Sequence, residues 1–159
     1  RPLMARADYT WRCPNRRFIG QGLYLPGLRS ESLGTLVIAV DTSGSIDQAT
    51  LDVFAAEANG ILECNPCRVE VVYCDARVQH VDEWTPGEGP LTLATHGGGG
   101  TDHSPVWEHV SQMDEEPAAI VCLTDGLTDV GTPPDVPVLW AIVGNPSFDA
   151  PFGRILHVT

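Results

Sequence analysis

The sequence contains no lysine. All nine basic residues are arginine, and against twenty-one acidic residues they leave a net charge of −12. A surface of that sign repels phosphate backbones, which argues against nucleic acid as a partner and favours a cation. Solubility alone is the simpler use of such charge. Long apolar runs are also missing. The longest, VPVLWAIVG, is interrupted by Pro137 and is far too short to span a bilayer. Nothing resembles a signal peptide, and the chain begins with Arg1, so a soluble domain excised from a longer protein is expected. With 159 residues it can bury a core of its own.

Cysteine and histidine lack the spacings of familiar metal or redox motifs. The five cysteines are spread along the chain without the look of a disulfide framework. CNPC, Cys64 to Cys67, is a single CxxC, and a zinc ribbon needs two. It follows a predicted helix, where the dipole does not lower a thiol pKa, so a structural role is expected. Cys74 and Cys122 stand in apolar strand-like runs and read as buried thiols. There is no H-E-x-x-H; His80, His96, His103, His109 and His157 are scattered, with no pair at i and i+4.

Residues 1–33 mix aromatics, Arg, Pro and Gly. They read as an irregular arm or linker from a missing preceding domain, with Arg12, Arg16 and Arg17 bridging to the acidic body. Residues 34–159 read as one domain. TLVIAV (35–40) has the continuous β-branched character of a strand buried on both faces. Over 46–62, Leu51, Phe54, Ala55, Ala58, Ile61 and Leu62 make one helical stripe, which Gly60 and Pro66 are expected to close. RVEVVYC (68–74) and RVQHVDEW (77–84) predict an antiparallel pair. Ser104 and Pro105 fit the N-cap and N1 of a second helix running to about 114. AAIVCLT (118–124), VPVLWAIV (136–143) and RILHV (154–158) predict three more strands. This order gives an α/β Rossmann-like three-layer sandwich, a mostly parallel central sheet with one antiparallel hairpin strand.

In such sheets ligands bind outside the carboxyl ends of the strands, where strand order reverses. Three loops then present oxygens. The first, DTSGSID, offers Asp41, Ser43 and Ser45; the second, Thr101 and Asp102 after four glycines; the third, Asp125 in LTDG. Hydroxyls and carboxylates without Cys or His suit a hard cation, Mg2+ or Mn2+; Mg2+ takes six oxygens at about 2.1 Å and keeps several waters. Asp41 and Asp125 supply the charge that neutral hydroxyls lack. The glycines, Gly99 and Gly100 among them, let the chain approach closely. The local alternative is a capping box, Ser45-x-x-Gln48, with Ser45 as N-cap. It leaves the matching oxygens of the other two loops unexplained.

D-x-S-x-S at 41–45 with Thr101 and Asp125 resembles the metal-ion-dependent adhesion site of von Willebrand factor A domains. The match is closer still to a bacterial metallopeptidase-like family ending in such a domain. It is carried by Arg16–Arg17–Phe18, Tyr24–Leu25–Pro26, Gly97 to Asp102 with Pro105, Leu123 to Gly126, and Pro151 to Gly153, and covers residues 10 to 159. The resemblance implies that Ser43 and Ser45 ligate the ion directly, Thr101 directly or through water, and Asp41 and Asp125 mainly through water. An open position would accept an acidic side chain of a partner protein. It also implies work beside a ring-forming ATPase, in the cytoplasm. His103 stands where an aromatic residue is expected and reads as its packing substitute. Asp102 and Asp129 add negative charge nearby.

Three functions are weighed. A metal-dependent protein-binding module accounts for all three loops. A metal-dependent hydrolase, associated with a peptidase or acting on phosphate esters, is the alternative; against it, Ser43 stands where a second acid is expected and lacks a G-x-S-x-G elbow. Nucleotide binding through GGGGTD lacks the P-loop lysine.

Overall fold

The computed structural model describes residues 7–10, 27–30, 34–44, 46–96 and 102–158. Within the stretch expected to be irregular, β1 (Ala7–Thr10) and β2 (Gly27–Ser30) form a two-stranded antiparallel pair. Arg12, Arg16 and Arg17 lie outside the described residues.

The β-branched run after Thr35 forms β3 (Leu36–Asp41), the strand around which the main sheet is organised. β4 (Val69–Cys74) lies parallel to it on one side and β6 (Ala119–Thr124) parallel on the other. β5 (Val78–Trp84) pairs antiparallel with β4, while β7 (Val138–Val143) and β8 (Arg154–Val158) extend the sheet in parallel beyond β6. The order is β5-β4-β3-β6-β7-β8. The chain therefore builds outward from β3 to one edge, then returns to the other side at β6. Strand order reverses between β3 and β6, and the crevice at their carboxyl ends is where this topology places a ligand.

Alternation along the strands splits the core between two faces. Ile38 and Val40 of β3 and Leu123 of β6 pack with Leu51, Phe54, Ala55 and Leu62 of α1 (Gln48–Cys64). Val37 and Ala39, with Ile120 and Cys122, pack with Val106, Trp107 and Val110 of α2 (Ser104–Ser111). Continuing the alternation puts the last residues of β3 and β6, Asp41 and Thr124, on the α2 face.

Both helices differ from the sequence expectation at their ends. α1 starts at Gln48 and is capped by Asp47, whose Oδ1 accepts from the Thr50 N–H at 2.8 Å and the Thr50 hydroxyl at 2.7 Å. The alternative capping box rests on Ser45, which lies outside the described residues; the Gln48 amide reaches Asp52 and the Leu93 carbonyl. α1 runs to Cys64, two residues beyond the expected stripe, and Leu62 packs in the core as expected. Ile61 is 61% exposed; it lies about 80° around the helix from Leu51, off the edge of the stripe. α2 ends at Ser111 rather than near 114, and its cap position is His103.

Cys74 and Cys122 are buried free thiols, as expected, and so is Cys67. Cys64 is disulfide-bonded, although the cysteines lack the look of a disulfide framework. Since Cys67 is free, the CxxC is not closed on itself. Among the described residues no helix is long and apolar enough to cross a membrane.

Candidate metal centre at the carboxyl rim of the sheet

Asp41 ends β3 almost completely buried, at 1% exposure. Both carboxylate oxygens are directed. Oδ1 accepts from the Ser43 backbone N–H at 2.8 Å, so the chain turns back over its own side chain. Oδ2 accepts from the Thr124 hydroxyl at 2.7 Å. Thr124 is fully buried, and its Oγ1 in turn accepts from the Gly126 N–H at 3.1 Å. Thr124 had not been singled out in the sequence. The signal was present: it follows Ile120 and Cys122 at two-residue spacing, on the face that Asp41 shares.

Asp125 follows directly, at the mouth of the same crevice, half-buried. Its Oδ1 accepts from the Leu127 N–H at 2.9 Å, and its carbonyl accepts from the Asn145 amide at 3.0 Å. The next residue, Gly126, has φ +77°, and a Cβ there would stand 2.3 Å from the Phe148 ring. Only glycine meets both demands, which explains the last letter of LTDG.

Asp102 is brought to the same end of the sheet. Its N–H donates to the Asp75 carbonyl at 3.0 Å, beyond the end of β4, and it bridges in parallel to Asp129 in the loop after β6. Its carboxylate accepts from the Ser104 N–H at 2.8 Å, satisfying a donor at the start of α2. Ser45, Gly99, Gly100 and Thr101 lie outside the described residues. The rim thus collects Asp41, Ser43, Asp102 and Asp125 from three loops.

His103 is buried at 1% exposure. Its Nδ1 is 2.8 Å from the Thr128 hydroxyl. Its ring meets Trp140 edge-on, centroids 5.3 Å apart, and lies 6.1 Å from Trp107. Burial pushes its pKa down, partly countered by the charges of Asp41 and Asp102. It packs as an aromatic residue would.

The electrostatics of the rim are written on Cys74. Burial first, then the charges of Asp75, Asp102 and Asp41, push its thiol up to about 12. Three carboxylates thus act on one point beneath the crevice. A small cavity of about 150 Å³ opens at the end of β3, lined by Asp41, Thr42, Ser43 and Gly44 with Ala94 and Thr95. The donors described here are oxygens, and the local field is negative. Both properties fit a hard divalent cation.

Comparison with known proteins agrees with the geometry. Residues 36–159 match the model of the VWA-like domain family (DUF2201). An uncharacterized protein of Thermotoga maritima is 33% identical over 117 residues, a stretch that is 74% of this chain and 28% of that relative. The chain therefore spans little more than a quarter of the relative it matches.

Proposed function

The chain belongs to the family of VWA-like domains, and from that membership we propose that it is a metal-ion-dependent protein-binding module. Ser43, Ser45 and Thr101 hold Mg2+ or Mn2+, with Asp41 and Asp125 acting through bridging water. The bound ion supplies an open coordination position for a carboxylate oxygen from an Asp or Glu of the partner. Asp102, His103, Gly99 and Gly100 shape the approach to it.

One observation carries this reading: a carboxylate as deeply buried as Asp41 lies where strand order reverses, held in a fixed orientation by Thr124 and Ser43. Burying an anion is costly, and a neighbouring cation offsets the cost. The use of Asp47 as the cap of α1 supports the same reading, because DTSGS is then not consumed in starting the helix. The partner in this proposal is a protein with an exposed acidic side chain, such as a ring-forming ATPase in the cytoplasm. The module would work as the C-terminal part of a longer metallopeptidase-like protein, with no catalysis assigned to this domain.

The test is calorimetric titration with Mg2+ and Mn2+, followed by capture of partners with and without chelator. One ion per chain, with both binding events lost in Asp41→Ala and Ser43→Ala variants that remain folded, is the expected result. Capture that persists in strong chelator would reject the proposal.

A further inference from the structure

β5 is an edge strand, and its alternation turns His80 and Asp82 to one face. His80 stands opposite Tyr73 in the β4–β5 register. The chain returns to this place just before the glycine run. There His96 meets the Tyr73 ring edge-on, centroids 4.4 Å apart, and its ring lies 4.7 Å from that of His80. His80 Nε2 is 2.7 Å from an Asp82 oxygen. One ligand atom from each of His80, Asp82 and His96 lies within 4.8 Å of the others. Tyr73 frames the group: it is buried, and its hydroxyl accepts from the Ala94 N–H at 3.3 Å, tying down the loop that carries His96.

We infer that His80, Asp82 and His96 form a second metal site, for a divalent transition ion of the zinc class. Two imidazoles and one carboxylate suit zinc, nickel or copper rather than magnesium. With ligand bonds of about 2.0–2.1 Å, donors around a tetrahedral zinc stand roughly 3.3 Å apart. His80 and Asp82 part slightly and His96 swings inward; water completes the tetrahedron. His80 and Asp82 are exposed and His96 is half-buried, so assembling the site dehydrates no deeply buried group. The ion clips the root of the glycine loop, beginning at His96, to the hairpin edge. It is independent of the oxygen-lined rim and of the function proposed for it.

The experiment is zinc titration of the metal-stripped chain by calorimetry, with saturating Mg2+ present, and then cobalt substitution read by its visible d–d spectrum. The expected result is one zinc per chain, weakened at least about tenfold in His80→Ala and in His96→Ala. Asp41→Ala leaves it unchanged, and acidification releases it because protons compete with the metal for the ligand atoms. Cobalt gives a tetrahedral spectrum without a thiolate charge-transfer band. The inference is overturned by absence of one-to-one zinc binding, by affinity unchanged in both histidine variants, by loss of zinc in Asp41→Ala, or by a thiolate band. His80 is exposed, so its replacement decides the matter should His96→Ala fail to fold.

Discussion

The Thr124 hydroxyl donates to Asp41 Oδ2 at 2.7 Å, joining the last residues of two neighbouring parallel strands that are 83 positions apart in the chain. The contact is buried, and it fixes the carboxylate around which the rim is arranged. Thr124→Val keeps the shape and removes the donor. Leaving a buried acceptor short of a partner costs about 1–3 kcal/mol. Urea denaturation of the variant should show a midpoint lowered accordingly, with an unchanged slope. An unchanged midpoint would mean that water replaces the hydroxyl freely.

Gly126 should not tolerate a side chain. Its φ of +77° strains an L-residue, and the added Cβ meets Phe148. Strain of this kind costs on the order of 1–3 kcal/mol, before any clash. Gly126→Ala should therefore lose at least that much by thermal or chemical denaturation. Combined with Phe148→Ala, the loss should be smaller than the sum of the two single losses, because the clash counted in the Gly126→Ala loss is absent from the double variant.

Magnesium should stabilise the chain if the rim holds it. A ligand at a hundred times its Kd adds about 2.7 kcal/mol by mass action. Thermal melts should rise with Mg2+ and fall back with chelator. Asp41→Asn should abolish the increment while the metal-free melting temperature stays measurable. Equal responses in the two proteins would show that the magnesium effect arises elsewhere.

The buried thiols set an alkaline limit. Cys74 is pushed up to about 12 and Cys122 is raised well above its ordinary value, both chiefly by burial. In the unfolded chain they ionise near 9. Above that pH the unfolded state holds fewer protons than the folded one, so stability present below 9 is lost as pH rises through the folded values. Denaturation midpoints at pH 8 and pH 10.5 should differ in that direction, and by less in a Cys74→Ala, Cys122→Ala double variant. Alkylation of both thiols at pH 8 should proceed only as fast as the protein opens.

Much of this fold was legible because its strands are short apolar runs that can be nothing else in a sheet covered on both faces. TLVIAV and AAIVCLT lead directly to β3 and β6, and with them to the crevice. Helix ends were less legible. Asp47 and Ser45 are both competent caps in the sequence; Leu62 marks the end of the apolar stripe, and the two further helical residues to Cys64 add nothing apolar at its spacing. The four-residue strands of the arm carry no periodic signal. Among the residues gathered at the rim, Asp41, Ser43, Asp102 and Asp125 stand in recognisable motifs, whereas Thr124 is hidden behind the aspartate that follows it. His80 and His96 looked scattered because a hairpin edge and a distant loop bring them together, with no common helix to give them a spacing.

Asp102 and His103 form a splice in the backbone. One N–H is fastened to the Asp75 carbonyl beyond β4, the next to the Asp129 carbonyl in the loop after β6. Each bond is 3.0 Å long and has little slack. The splice therefore ties the downstream end of the glycine loop to both flanking turns. Whatever tightens around the rim must draw on that joint as one piece.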